Sequence, residues 1–442
     1  MLADMSRSAT GRPRSIGLSC RASIVVAAFV GAAVANLAAA QPVVSPRFSP
    51  TGPEADFYGA AQGYPVSVLY RPRFFVGAFT HQDQIWETRT VRRATQPAPL
   101  ARAAAETALR YDFDRAERTL DDFMARNPVT GLLIARGDTI HVERYQYART
   151  DAHRFAGYSM SKTVTALLVG VALAEGRIRS LDDPAERYVS ELAGSEYGRT
   201  RLRHLLQMSS GVRFEETYTR FDDFTRLWQA TVAQEGPGGA AAVRSFNERA
   251  RLPGAVFSYA SAETQVLGLV VARATGRTLA EYLQEKIWQP IGAEADARWV
   301  IDTAGQEVAY CCLNAVLRDW ARLALLLAND GRIGSGAGSR QLVPREFLIE
   351  ATTVAPEHDH LQLVLAPPGF SYGFQTWIVD PQATPPRRQF ALMGAHGQII
   401  FVDPASRLVL VQTAVRRHAS DPNLETLALW HALVRTLGAD AR

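Results

Sequence analysis

The sequence predicts a mixed α/β (α+β) fold, an antiparallel sheet flanked by helices with an all-helical domain inserted into the chain. The stretch Gly131–Tyr145 has two β-rich segments around Arg136-Gly137-Asp138 and predicts an early hairpin. Helical patterns and loops dominate from 181 to about 330. Four β-rich segments follow at 373–379, 390–393, 398–403 and 408–414. We therefore expect one sheet built from both ends of the chain.

The composition is that of a soluble globular protein, with 47% hydrophobic and 21% charged residues among 442. We expect a signal peptide over 1–40, an N-terminal extension over 41–110 and a main domain over 111–442. In the main domain the sheet is assigned to about 111–180 and 331–442, and the helical part to about 181–330.

The first forty residues have the pattern of a secretory signal. Four arginines precede the apolar run Ile24–Ala40, which ends in three alanines. We expect export to the periplasm or the medium; the alternative is an N-terminal membrane anchor, since the run is near spanning length. Removing the four arginines and Asp4 lowers the net charge from +4 to about +1. The charge therefore predicts no binding to nucleic acid.

The mature chain would keep two cysteines, the neighbours Cys311 and Cys312. Adjacent cysteines rarely pair without strain, so we expect no structural disulfide.

The extension 41–110 is rich in proline, glycine and arginine and shows little periodicity. We expect it to lie over the main domain, with Phe74-Phe75-Val76 and Ile85-Trp86 as docking points. Glu106–Asn127 predicts an amphipathic helix. Later helices are expected over 262–275, 315–329 and 423–437.

The motif with most chemical content is Ser159-Met160-Ser161-Lys162, at the start of an apolar helix that ends near Glu175-Gly176. Residues three apart share a helix face, so the lysine amine can accept the serine proton. The chain has only two lysines, Lys162 and Lys286, and its other basic side chains, histidine apart, are arginines. Arginine cannot lose its proton, whereas a buried lysine can have its pKa lowered. The choice of lysine indicates a base beside a nucleophile.

Two further motifs could complete a site. Pro253-Gly254 sets a turn that can present the hydroxyls of Tyr259 and Ser261 to a cleft, although a packed tyrosine is the commoner outcome for such a loop. Gly394–Gln398 leads into an apolar strand. We expect Gly397 to let a substrate approach the backbone, and the amides of Ser159 and Gln398 to form an oxyanion hole. His396, which stands between the small residues Ala395 and Gly397, is a candidate for contact with the substrate.

Together these motifs resemble the penicillin-recognising serine hydrolases: class C β-lactamases, family VIII esterases and 6-aminohexanoate-dimer hydrolases. The resemblance covers about residues 115 to 440 and depends on six ordered motifs, Ser159–Lys162, Leu181–Pro184, Arg203–Gly211, Pro253–Tyr259, Ala315–Arg322 and Tyr372–Trp377. It implies a β-lactamase/transpeptidase-like fold. It also implies Ser159 as the acylated nucleophile, Lys162 and Tyr259 as the proton-transfer pair, and Ser261, His396 and Gly397 as substrate-binding residues.

The chain departs from the β-lactamase pattern at two places. Ser261 stands where a β-lactamase would have asparagine, and Ala395-His396-Gly397 stands where it would have Lys-Thr-Gly. The lysine of that motif would face a substrate carboxylate, which alanine cannot bind. These differences favour the 6-aminohexanoate-dimer hydrolase and esterase branches.

Other chemistries have weaker support. Gly157-Tyr-Ser159-Met-Ser161 lacks the second glycine of a nucleophile elbow. The acidic and histidine-rich Glu357–His360 is a polar loop better explained as solvated than as a metal site. No glycine-rich phosphate loop follows a strand.

The sequence therefore predicts an exported serine hydrolase, a carboxylesterase or amidase acting on a small ester or linear amide through an acyl-enzyme on Ser159. The alternatives are a class C-type β-lactamase or D-alanyl-D-alanine peptidase, and a non-catalytic binding or sensor module of the same fold. We expect no metal or organic cofactor, no nucleic acid partner and no stable membrane insertion after signal cleavage. The sequence leaves the oligomeric state open.

Overall fold

The computed structural model describes residues 71–218, 221–354, 362–363, 367–380 and 386–438. The predicted signal peptide, the first part of the extension and the loop Glu357–His360 lie outside these ranges. The strands of the described residues are β1 Thr88–Val91, β2 Ala101–Arg102, β3 Arg110–Phe113, β4 Ala116–Thr119, β5 Val129–Arg136, β6 Thr139–Tyr145, β7 Arg154–Ala156, β8 Val256–Phe257, β9 Ala297–Val300, β10 Leu313–Val316, β11 Arg332–Ile333, β12 Arg340–Gln341, β13 Gln362–Leu363, β14 Phe370–Tyr372, β15 Trp377–Val379, β16 Phe390–Gly394, β17 Gln398–Asp403 and β18 Leu408–Ala414.

The α-helices in the same ranges are α1 Phe75–Ala78, α2 Gln82–Ile85, α3 Leu120–Arg126, α4 Met160–Ala174, α5 Leu202–Leu206, α6 Asp223–Thr231, α7 Gly239–Ser245, α8 Ser261–Thr275, α9 Leu279–Leu283, α10 Leu317–Ala328, α11 Arg345–Ala351 and α12 Leu424–Leu437. A π-helical turn, Gln284–Trp288, continues α9.

An eight-stranded sheet joins the two ends of the main domain, in the order β14-β15-β16-β17-β18-β5-β6-β2. Its central contact pairs β18 with β5 in antiparallel register, so that Leu410 lies opposite Ile134. A second sheet has the order β1-β9-β10-β7. The prediction of a sheet formed by an early hairpin and late strands is confirmed.

Both faces of the large sheet are buried, which explains why its central strands are almost continuously apolar. On β5, Leu133 and Ala135 belong to the core formed with α4 and α10. The alternate residues Leu132 and Ile134 belong to a second core formed with α3 and α12. Successive side chains of a strand point to opposite faces, so one strand supplies both cores.

Helix α4 lies inside the first core and is buried on every side. Its residues from Met160 to Ala172 are all buried, including Lys162. An apolar helix without a polar face is stable only when neighbouring elements cover it completely. This burial encloses Lys162 in the first core and leaves Ser159, just before the helix, half-buried.

The prediction of a helix over Glu106–Asn127 was wrong for its first part. Residues 110–119 form the hairpin β3–β4, which turns at Asp114 and Arg115 with φ of 53° and 58°. The helix α3 starts only at Leu120, where Thr119 and Asp122 form a capping box. Reciprocal capping bonds set a helix start more strongly than hydrophobic spacing does.

Of the segment expected as one strand over 373–379, only β15 at its end is a strand, and it pairs with β14, which precedes the segment. Between 181 and 330 most of the regular structure is helical, but the structure adds three strands there, β8, β9 and β10, so this part is not all-helical. The predicted later helices correspond to α8, α10 and α12. None of the helices in the described ranges combines the length and apolar composition needed to cross a bilayer.

Glu263 on α8 has a buried carboxyl group, and burial in the folded protein favours its neutral form. Its Oε1 accepts hydrogen bonds from the Ser210 amide at 3.3 Å and the Ser210 hydroxyl at 2.5 Å. Burial raises the pKa of Glu263 to about 8, compared with about 4.3 in an unfolded chain. The folded state therefore keeps a proton that the unfolded state releases. This contribution to stability is complete below about pH 4.3 and is lost as the pH rises to about 8.

We expect Glu263→Gln to flatten this pH dependence, because an amide cannot ionise. Urea unfolding between about pH 5 and pH 8 should show the wild type losing free energy of unfolding as the pH rises, and the variant losing less. Glu346→Gln, at an exposed position on α11, should keep the wild-type slope. Equal slopes in Glu263→Gln and wild type would contradict this account.

Candidate active site

Ser159 stands at the N-terminus of α4, on a tight turn that the preceding residues impose. The amide of Met160 donates to the carbonyl of Gly157 at 3.0 Å, and Tyr158 has a left-handed φ of 45°. At Gly157 a Cβ atom would lie 2.5 Å from the Trp320 ring, so only glycine fits. The turn leaves Ser159 half-buried, at the positive end of a fifteen-residue helix.

Lys162 lies one helical turn below Ser159 and contacts it directly. Its Nζ donates to Ser159 Oγ at 2.9 Å and to the Tyr310 carbonyl at 3.2 Å. The side chain is 1% exposed, and burial lowers the pKa of Lys162 to about 8, while the Glu216 carboxylate acts in the opposite direction. A lysine with this pKa is partly neutral near physiological pH and can accept the serine proton.

Tyr259 reaches the same point from the loop between β8 and α8. The Nζ of Lys162 lies 4.8 Å from the centre of its ring, and its hydroxyl is hydrogen-bonded to Ser159. Trp377 stacks on the ring at 5.9 Å. Burial raises the pKa of Tyr259 well above its usual value, so the phenol keeps its proton. The structure thus brings Ser159, Lys162 and Tyr259 together.

Ser261 is fully buried and engaged with a carboxylate rather than open to a cleft. Its amide donates to Glu216 Oε2 at 2.7 Å and its hydroxyl to Glu216 Oε1 at 2.8 Å. The Tyr218 hydroxyl also donates to Glu216. Burial raises the pKa of Glu216, which the neighbouring Lys162 opposes. Sequence analysis missed Glu216, because one acid in a polar loop carries no signal of its own.

The end of β16, not the start of β17, lies against the nucleophile turn. A Cβ atom at Gly394 would lie 2.5 Å from the Gly157 carbonyl oxygen and 3.2 Å from Tyr158 Cβ. Gln398 lies across the hairpin from Gly394, one strand further away. Its buried side chain donates to the Ala414 carbonyl at 2.7 Å and accepts from the Ala414 amide at 3.1 Å. The part of the β16–β17 hairpin that contacts the nucleophile turn is therefore Gly394–Ala395, and not Gln398.

His396 and Gly397 form the turn between these strands and face other partners. The His396 ring packs on Phe75 at 4.8 Å and its Nδ1 is 2.8 Å from the Arg416 carbonyl. Burial lowers the pKa of His396 to about 4, so the imidazole is neutral at physiological pH. A Cβ atom at Gly397 would meet the Arg416 side chain at 2.7 Å. The structure does not place these residues at the Ser159 hydroxyl.

The prediction that Cys311 and Cys312 stay unpaired was wrong. They form a disulfide immediately after Tyr310, the residue whose carbonyl accepts from Lys162. The chain turns at Cys312, where φ is 72°, before entering β10. In the described part of the chain, no group of three or more histidine, cysteine or acidic side chains is arranged to hold a metal ion.

Comparisons with known proteins agree with this geometry. A family model described as Beta-lactamase matches residues 116–433. The 6-aminohexanoate-dimer hydrolase of Paenarthrobacter ureafaciens is 28% identical over 371 residues, covering 80% of this chain and 88% of that protein. A β-lactamase of Yersinia enterocolitica is 27% identical over 133 residues, covering 30% of this chain and 31% of the relative.

The structure also resembles solved structures. One from Bacillus anthracis, provisionally named a 6-aminohexanoate-dimer hydrolase, has a TM-score of 0.72 at 23% sequence identity, covering 85% of this chain and 97% of that chain. This likeness confirms the predicted fold class.

The reactivity of Ser159 should depend on pH through Lys162. We expect labelling of Ser159 by a fluorophosphonate to rise with pH and to have its midpoint near pH 8, because Lys162 must lose its proton to act as a base. Glu216→Gln removes the charge that favours protonated Lys162, so the midpoint should move to lower pH. The measurement is the labelling rate across a pH series.

A matched control is Glu248→Gln, at an exposed position that pairs with Arg213 at 3.2 Å. This variant should leave the midpoint unchanged. A Glu216→Gln midpoint at higher pH than wild type would contradict the electrostatic account.

Proposed function

Because this chain belongs to the β-lactamase family of serine hydrolases, we propose that it hydrolyses small linear amides or esters through an acyl-enzyme on Ser159. The observation that carries the proposal is the hydrogen bond of 2.9 Å between Lys162 Nζ and Ser159 Oγ, made by a lysine that is 1% exposed. Such a pair supplies what a serine hydroxyl lacks in water, a base already in contact with its proton.

In the acylation step, neutral Lys162 takes the Oγ proton as Ser159 attacks the substrate carbonyl. Tyr259, hydrogen-bonded to Ser159 and beside the lysine, passes a proton to the leaving amine or alcohol. The phenol then regains its proton from Lys162, which returns to the neutral state. Because Tyr259 is neutral at the start, it acts as a relay and not as the initial base.

The oxyanion would be held by the amides of Ser159 and Ala395. The Ser159 amide precedes the first turn of α4, where amides have no acceptor within the helix. The Ala395 amide follows Gly394, the last residue of β16 and the one that packs on Gly157 and Tyr158. We therefore assign the second donor to Ala395 in place of the predicted Gln398.

In the second step, water takes the place of the leaving group and attacks the acyl-enzyme. Lys162 and Tyr259 accept the proton of that water and return it to Ser159 Oγ, which restores the free serine. Ser159, Lys162 and Tyr259 supply the side chains for this cycle, and the amides of Ser159 and Ala395 hold the oxyanion in both steps.

The polarity of the site favours neutral substrates over β-lactams. Ala395 has no charge to offer a substrate carboxylate, and His396 is neutral. Arg416, the cation next to Gly397, is already bonded to Asp421 at 3.2 Å and Asn127 at 3.0 Å. A linear amide or ester without a carboxylate next to the scissile bond fits this arrangement. The 6-aminohexanoate-dimer hydrolase relative acts, by its name, on a dimer of 6-aminohexanoate.

The proposed enzyme acts outside the cytoplasm, after removal of a signal peptide over residues 1–40. The support is the arginine-rich start, the apolar run and the alanines that end it. N-terminal sequencing of the protein recovered from the periplasm or medium tests this, and an intact Met1 in the mature protein would refute it.

We expect Ser159→Ala to abolish hydrolysis of p-nitrophenyl butyrate. Lys162→Arg should lower kcat by about 100-fold or more, because arginine keeps the charge and cannot accept the proton. The other lysine supplies the control: Lys286 pairs with Glu175 at 2.6 Å, and Lys286→Arg should retain activity. Full activity in Lys162→Arg would exclude the mechanism.

A panel of p-nitrophenyl butyrate, a 6-aminohexanoate dimer and nitrocefin separates the substrate classes. We expect turnover of the ester or the linear amide and a much lower kcat/KM for nitrocefin. The reverse order would favour a β-lactamase. The absence of fluorophosphonate labelling at Ser159 would indicate a binding module of the same fold.

A further inference from the structure

A short N-terminal segment, residues 74–79, packs against both backbone turns that flank the reactive serine. Phe75, Val76 and Phe79 of this segment are buried in a small apolar cluster of their own. The same cluster contains Tyr158, the residue before Ser159, and is lined by Ala395. The segment therefore contacts both places from which the oxyanion donors come.

The contacts are specific ring-to-ring contacts. Phe79 meets Tyr158 edge to face at 5.0 Å and lies 5.1 Å from the His396 ring. Phe75 meets His396 at 4.8 Å and stacks on Phe79 at 4.7 Å. Tyr158 and His396 are themselves 5.8 Å apart. Aromatic rings in these geometries stabilise one another beyond the area they bury.

The two residues that the segment contacts have unfavourable backbone conformations. Tyr158 has a φ of 45° and His396 a φ of 63°. Neither is a glycine, so each conformation costs free energy and persists only where surrounding contacts hold it. Tyr158 directly precedes Ser159, and His396 directly follows Ala395. The rings of Phe75 and Phe79 are among the contacts that hold both residues.

Polar contacts of Phe79 and of the residues just after the segment fix it to the main domain. The amide of Ala156 in β7 donates to the Phe79 carbonyl at 2.9 Å. Arg149 donates to the Thr80 hydroxyl at 2.8 Å, and Arg154 pairs with Asp83 at 3.0 Å. These contacts keep the rings of Phe75 and Phe79 in place over the two turns.

We propose that residues 74–79 position the oxyanion hole, with Phe79 and Phe75 acting through Tyr158 and His396 on the amides of Ser159 and Ala395. The proposal rests on the function proposed above. It assigns His396 a positioning role, through its packed ring, in place of contact with substrate. A change in this segment should thus affect the transition state more than the binding of the ground state.

The test is the rate of Ser159 labelling by a fluorophosphonate, together with kcat and KM for p-nitrophenyl butyrate. Phe79→Ala should lower the labelling rate and kcat by about 10- to 100-fold and leave KM nearly unchanged, because misplaced donors weaken only the transition state. Phe79→Leu, which keeps apolar bulk and is easier to fold, should show a smaller loss of the same kind.

Phe123→Ala is the matched control, since Phe123 is also a buried phenylalanine but belongs to the core on the other face of the sheet. It should lower Tm while kcat is retained at temperatures where the variant is folded. Phe79→Ala combined with His396→Ala should lose less than the product of the two single losses, because both act on the same turn.

The outcomes separate this proposal from the one it rests on. Wild-type protein that is neither labelled nor active would overturn both. Labelled wild type with a Phe79→Leu or Phe79→Ala variant that reacts at the wild-type rate would overturn only the positioning role. The positioning role would also be overturned if the Phe79 variants raised only KM. It would likewise be overturned if the loss of kcat in the Phe79→Ala, His396→Ala double variant equalled the product of the two single losses.

Discussion

The burial of Lys162 is the constraint on which the rest of the structure depends. The lysine is 1% exposed on a helix that is buried on every side, and burial lowers its pKa to about 8. A buried ammonium needs acceptors close by, and here they are the Ser159 hydroxyl and the Tyr310 carbonyl. The same desolvation that would make the lysine costly elsewhere makes it a useful base next to Ser159.

The chain assembles the site from distant segments by placing α4 against the large sheet. Ser159 and Lys162 come from the start of this helix, Tyr259 from the loop after β8, and Ala395 from the turn after β16. Left-handed backbone occurs at Tyr158 in the serine turn and at His396 in the β16–β17 turn, and the rings of these two residues pack against each other. Strained conformations of this kind are typical of functional sites, because only a rigid surrounding structure can maintain them. The aromatic residues of the N-terminal segment provide part of that rigidity.

The chemistry of the region around β16 distinguishes this chain within its family. Where the family resemblance leads one to expect a lysine facing the substrate carboxylate, the chain has Ala395, a neutral His396 and aromatic rings from residues 74–79. Neither Ala395 nor the neutral imidazole of His396 carries a charge that could pair with a substrate carboxylate. This difference in polarity supports amides and esters as the substrate class.

The sequence by itself determined the sheet built from both chain ends, the buried helix and the Ser159–Lys162 pair, since these depend on local periodicity and on three-residue spacing. Tyr259 could be predicted from its turn and from the family resemblance. Only the tertiary structure decided the partners of Ser261 and His396, the contact of Gly394 with the nucleophile turn, the role of Glu216 and the Cys311–Cys312 disulfide. These features depend on contacts between segments far apart in the chain and on left-handed backbone at single residues, neither of which a local pattern encodes.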